Sequence, residues 1–413
     1  MTTTLTLLGA ATALAWLGAT GAAAAGQPHD PPITIDTHVD IPFNYMREPR
    51  FDVGQPTRLL VDLGKMERGG LDAAFFVVWV PQGPLTPAGY AKARMQAEKK
   101  YEGIGRMLMR YPDRIRLATT PDQVMANKQA GLLSAMIGIE NSYSLGHDIH
   151  RLDAAYDRGA RYVGLVHVGD NDLCTSSQPD VEHGEPAMNS SGDHGMTPFG
   201  RAVVARANRL GMMVDVSHAS DNCTRDALKY SKAPIIASHS SARALIDNPR
   251  NLPDDLLRAI AARGGVIQAV AYKEFLKVDP GRAAAEAKLA KQVARASGHA
   301  SYDSDRDDYT AAMAAGMARI QQKYPLATLQ DYVSHIKHMV KVAGIDHVGI
   351  ASDFDGGGGI TGWKDASETR NVTAALHDAG FSDADIAKIW GGNLLRVWRE
   401  VEAEAAREQA RAE

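Results

Sequence analysis

Past residue 30 the chain alternates short, continuously apolar runs with longer amphipathic stretches. The runs at 33–40, 73–80, 133–140, 162–167, 212–218, 234–239, 266–272 and 348–353 are dominated by Val, Ile, Leu, Ala and Phe. Most lack the every-other-residue polar positions of a half-exposed strand, so each predicts a strand covered on both faces. Between them, 87–110, 198–210, 253–263 and 326–342 place apolar residues at helical spacing. Eight covered strands, each followed by a helical segment, predict an α/β fold, a closed (β/α)8 barrel of the TIM type. An open doubly wound sheet would more often have about five to seven strands. No Gly-x-Gly-x-x-Gly loop follows the first run, which argues against a nicotinamide-dependent oxidoreductase. The run Gly356–Gly359 lacks the Lys-Ser/Thr of a phosphate cradle and reads as a flexible loop over the site.

Two stretches break the rhythm. Residues 279–324 are rich in Ala, Lys, Arg, Asp and Gln, with helical periodicity over 283–296 and 309–323. They predict a helical insertion before the last strand, polar enough to cover a barrel end or meet a second subunit. Residues 5–25 are dominated by Leu, Ala and Gly and close on an alanine run with small-x-small cleavage positions. Residues 1–25 are therefore expected to be a signal peptide, although Met1 to Thr4 supplies no basic residue. No cysteine follows for lipid attachment, and the charged segment 400–413 has no hydrophobic tail for a glycolipid anchor. The expectation is an exported protein, periplasmic or secreted, with no stable membrane anchor after signal cleavage. Residues 30–413 then form a single catalytic domain. The insertion and the long C-terminal helical pattern offer surfaces on which a homodimer could form.

Composition changes this picture little. A chain of 413 residues with 45% hydrophobic and 23% charged positions is ordinary for a globular protein. A net charge of −4 gives no reason to expect nucleic acid or an anionic membrane as partner. Cys174 and Cys223 are the only cysteines; they could pair in an oxidising compartment or remain as small buried residues. Of the 14 histidines, those from His147 to His150 and from His335 to His338 are expected on exposed helices or loops.

The chemistry lies where the apolar runs end. The first closes on His38-Val39-Asp40, the third on Glu140, the fifth on His218, the sixth on His239 and the last on Asp353. Alternate strand residues share a face, so His38 and Asp40 would project together. In such a barrel, strand C-termini carry the active site. A lone strand-end histidine is more often a hydrogen-bonded barrel residue than a ligand, and a lone acid often caps the next helix. Five strand ends doing so independently is another matter, because each buried polar group must be satisfied. A shared centre of two divalent cations satisfies all of them, and imidazole with carboxylate suits zinc.

These residues also carry a family resemblance. The stretches Asp36-Thr37-His38-Val39-Asp40, Gly138-Ile139-Glu140-Asn141, Thr197 to Arg201 running on to Asp215-Val216-Ser217-His218, Ser238-His239-Ser240-Ser241, Arg250 to Asp254, Gly349 to Gly356, and Gly392 to Val397 together resemble the membrane dipeptidase (renal dipeptidase) family of zinc peptidases, in order and over nearly the whole chain. The resemblance implies an amidohydrolase-type barrel that hydrolyses dipeptides by attack of a hydroxide bridging two zinc ions. His38 and Asp40 would hold one zinc, His218 and His239 the other, with Glu140 bridging. Asp353 would be the acid/base, with Asp355, two positions on and facing the same way, as its substitute. His167 would face the substrate and donate to the oxyanion, Arg250 would meet the substrate carboxylate, and Tyr272 would line the pocket. Without the resemblance, His167 reads as a packed rim residue and Arg250 as an ion-pair partner of Asp254 or Asp255. The alternative activity is that of another binuclear hydrolase acting on a cyclic amide, β-lactam, lactone or phosphoester. A non-catalytic binding protein has no need of Asp353 beside five ligands.

Overall fold

The computed structural model describes Met1 and residues 32–179, 192–296 and 307–412. The signal-like stretch 5–25 lies outside the described residues. Residues Pro32–Glu413 form one compact unit.

The strands are β1 (Ile35–Val39), β2 (Ala73–Trp79), β3 (Ile115–Leu117), β4 (Leu133–Glu140), β5 (Ala160–Gly164), β6 (Met213–Asp215), β7 (Ile236–Ala237), β8 (Val266–Val270) and β9 (Val348–Ala351). Eight of them pair in parallel in the order β1-β2-β4-β5-β6-β7-β8-β9. A parallel bridge between Val39 and Phe354 joins the two ends of that order. There the Asp40 amide donates to Phe354 O at 2.9 Å and the Asp353 amide to His38 O at 3.2 Å. The barrel is thus drawn together at its C-terminal rim, where the predicted ligands stand. All eight expected runs supply a strand. The addition is β3, a three-residue edge paired with β4 alone, whose Ile-Arg-Leu is too short to show a period.

Several helices start on the same device. Thr86-Pro87, Thr120-Pro121 and Thr197-Pro198 each put a hydroxyl at the N-cap, accepting from the amide three residues on, with proline at the first helical position. Helices Pro280–Ala296 and Asp307–Lys323 lie in the stretch that breaks the alternation. Lys273, just past β8, pairs with Glu286 at 2.6 Å and so ties the first of them to the barrel rim. Among the described residues no helix is long and apolar enough to cross a membrane.

One expectation about histidine exposure fails, and one open question about the cysteines is answered. His335 is buried, not exposed: it stands on the packed stripe of helix Leu329–Ala343 with Tyr332, Ile336 and Met339. Its Nδ1 accepts the Ala242 amide at 3.1 Å, and burial pushes its pKa down to about 4. Of the two alternatives for Cys174 and Cys223, the structure has the bridge: they form a disulfide with Cα atoms 5.9 Å apart.

Candidate metal centre

Glu140, the last residue of β4, is the hub, and its two oxygens face different groups. Oε1 lies 3.0 Å from His218 Nε2, 3.5 Å from His239 Nε2 and 3.8 Å from His167 Nε2. Oε2 lies 3.4 Å from His38 Nε2, which is itself 3.6 Å from Asp40 Oδ2 and 3.9 Å from Asp353 Oδ1. All the strand-end residues singled out by sequence therefore meet in one buried cluster, with His167 beside them. Three overlapping sets have ligand atoms mutually within 4.8 Å: His38, Glu140 and His239; Glu140, His167 and His218; His38, Asp40 and Asp353.

The backbone at these strand ends is strained. Asn141, which follows Glu140, has φ 65°, His218 has φ 69° and Asp353 has φ 58°. Non-glycine residues rarely hold this left-handed conformation, and it concentrates where function over-determines the geometry. Asp355 also has φ 63°, so strand parity no longer governs where it points. Its carboxylate accepts the Leu60 amide at 2.9 Å and the Val61 amide at 3.3 Å. It is a loop anchor, not a substitute for Asp353. The glycine run lies over the site, as its position in the sequence led us to expect. A Cβ on Gly356 would stand 2.3 Å from Asp40 Oδ2 and 2.5 Å from Asp353 Oδ1, so the turn passes close against both carboxylates.

Hydrogen bonds behind the histidines set which nitrogen faces inward. Ser238 Oγ donates to Asp215 Oδ2 at 2.7 Å and lies 2.8 Å from His239 Nδ1, so it accepts from that nitrogen and leaves Nε2 a lone pair. Tyr162 Oη, which donates to Thr37 O at 3.3 Å, meets His38 Nδ1 at 3.2 Å and accepts from it, so Nε2 is the nitrogen that faces the cluster. Gly138 makes room for that tyrosine, since a Cβ there would sit 2.0 Å from its ring. Burial drives His218 and His239 well below the usual imidazole range, which keeps both neutral. Burial also disfavours charge on His38, but Glu140 and Asp40 outweigh it and hold this histidine well above the ordinary value. Asp353 is pushed well up by burial, with Asp40 and Glu140 adding to the rise.

The set fits a metal. His38 Nε2 is buried without a hydrogen-bond partner, and His218 Nε2 and His239 Nε2 face each other at 3.0 Å. Imidazole nitrogens and carboxylate oxygens converge, and divalent cations satisfy all of them.

On one side of the cluster Arg250, 3% exposed, donates through Nη2 to His239 O at 3.3 Å, while its Nε has no partner. Burial lowers its pKa to about 10, which leaves it charged at neutral pH. The ion-pair alternative fails: Asp255 pairs with Arg225 at 2.6 Å and Asp254 with His338 at 2.7 Å. Arg250 lies over the Phe275 ring at 5.2 Å, and half-buried Tyr272 stacks on that same ring at 4.3 Å.

Around Asp40 and His167 stand residues that sequence reasoning missed. Lys100 Nζ lies 3.6 Å from Asp40 Oδ1, and 5.0 and 5.2 Å from the ring centres of Trp79 and Phe43. Trp79, which ends β2, meets His167 edge-on at 5.5 Å. A trace of this was legible, because Lys100 falls on the buried stripe Tyr90, Ala93, Ala97, Ile104 and Met107 of helix Pro87–Arg110.

The chain is similar to known proteins in sequence and in fold. The family model described as membrane dipeptidase (peptidase family M19) matches residues 29–412. A dipeptidase named tcpJ from Claviceps purpurea is 31% identical over 375 residues, covering 88% of this chain and 74% of its own. The crystal structure of a probable dipeptidase, PvdM from Pseudomonas aeruginosa, is 34% identical with a TM-score of 0.76, covering 90% of this chain and 96% of that one. A metallopeptidase from Rhodobacter sphaeroides, solved with a phosphinate mimic of the dipeptide L-Ala-D-Ala, shares the fold at 22% identity and a TM-score of 0.70, over 90% of this chain and 100% of that one.

Proposed function

The chain belongs to the membrane dipeptidase family, peptidase family M19, and is a metal-dependent dipeptidase; on that premise we propose that it works with two zinc ions per chain. His38 and Asp40 hold one, His218 and His239 the other, and Glu140 is shared. The observation that carries this reading is the division of Glu140, one oxygen toward His38 and the other toward His218 and His239. When bound, such a pair of cations polarises the scissile carbonyl and brings a water to a pKa of about 7.

The chain's own groups do the rest. Asp353, beside His38 and raised in pKa by burial and its acidic neighbours, takes the water's proton and returns it to the leaving amine. His167, kept neutral by burial, donates to the developing oxyanion. Arg250, fixed by His239 O and with Nε still unpaired, receives the substrate's C-terminal carboxylate through charge-assisted hydrogen bonds. Tyr272, stacked beside it, walls that end of the pocket. Reading a free carboxylate at a fixed distance from the cluster limits the substrate to dipeptides.

We also propose export to an oxidising compartment through cleavage after residues 1–25, which the Cys174–Cys223 disulfide supports. The test of the activity is metal content together with rates on L,L and L,D dipeptides, a cyclic amide, a β-lactam, a lactone and a phosphoester. Two zinc ions per chain and dipeptide hydrolysis lost on chelation are expected. Undiminished hydrolysis without metal, or turnover of the other substrates alone, contradicts the reading.

A further inference from the structure

A lysine ammonium at 2% exposure beside a proposed metal ligand needs a reason. Charge is costly to bury unless paired, and a cation near a metal ligand opposes the metal by Coulomb repulsion. The local geometry supplies the reason. Asp40 has its two oxygens divided: Oδ1 lies 3.6 Å from Lys100 Nζ, and Oδ2 lies 3.6 Å from His38 Nε2, on the side of the cluster. Gly356 closes against Oδ2, and the Asp40 amide is held by Phe354 O at 2.9 Å. The ammonium is itself held against the faces of Phe43 and Trp79, where a cation is stabilised by the ring quadrupoles. It therefore stands at a defined point.

We propose that Lys100 is a positioning residue for the metal centre, holding Oδ1 of Asp40 so that Asp40 ligates through Oδ2 alone. The proposal rests on the assignment of Asp40 as a ligand. Partners that orient metal ligands typically contribute about 10- to 100-fold in metal affinity, and at this one the gain in geometry exceeds the repulsion.

The test uses metal-stripped full-length protein: wild type, Lys100→Met, Lys100→Arg, Lys100→Gln, Asp40→Ala and the Asp40→Ala/Lys100→Met double variant. Zinc affinity is read by competition with a chelator, and ligand geometry by the visible spectrum of the Co²⁺-loaded proteins. Lys100→Met is expected to weaken one of two zinc ions by about tenfold or more and to alter the Co²⁺ spectrum. Lys100→Arg should recover most of both. In the Asp40→Ala background, Lys100→Met should do nothing further, because the group it positions is gone. Lys100→Gln replaces Lys100→Met if the latter does not fold, with the same expectations. Unchanged or tighter zinc binding in the neutral variants, or an undiminished effect in the Asp40→Ala background, overturns the proposal. A wild-type protein that takes up no zinc would overturn the centre itself.

Discussion

The two sides of Glu140 are built from different chemistry. Toward Oε2 stand one histidine and two acids, His38, Asp40 and Asp353, with the buried cation Lys100 behind Asp40. Toward Oε1 stand three histidines, His167, His218 and His239. Behind His239 the chain runs through the Ser238 hydroxyl to the Asp215 carboxylate. The acid side carries two carboxyl groups and holds the one proposed to move protons. The imidazole side is neutral by burial and lies beside the arginine proposed to bind substrate. In the proposed reading, a centre divided this way would separate proton transfer from substrate orientation while one carboxylate joins the halves.

Substitutions on each side can break or sharpen that division. The largest effect is expected on the acid side from Asp353→Asn: turnover should fall by about 10²- to 10⁴-fold while zinc content, measured by elemental analysis, stays normal. Loss of zinc there would make Asp353 a ligand instead. On the imidazole side, His167→Leu should cost about 3 kcal/mol in the barrier, seen in kcat with little change in KM. Normal kcat would return His167 to a packing role. Arg250→Lys keeps the charge but loses the planar fork, so KM for dipeptides should rise by about tenfold or more while metal content is unchanged. The smallest effect is expected from Ser238→Ala, which removes the hydroxyl behind His239 and should weaken zinc by about tenfold. If that loss falls on the same ion that Lys100 variants affect, the two sides are not separate.

The barrel was legible because its strands are covered on both faces and read as unbroken apolar runs, and the candidate site residues because each ends such a run. His38, Glu140, His218, His239 and Asp353 all stood out in one dimension for that reason. What escaped depends on contacts between distant segments. Lys100 meets Asp40 from a helix 60 residues further along, and the disulfide joins cysteines separated by 49 residues. Strand parity placed Asp355 beside Asp353, but β9 ends at Ala351 and both acids have left-handed backbones, so the alternation had already stopped.

The zinc content of purified Asp40→Ala tests the central claim most directly, because Asp40 belongs to one side of Glu140 alone. The predicted result is selective loss of one zinc, with the ion on the His218–His239 side retained. Equal loss of both ions, or retention of both, would contradict a centre divided at Glu140.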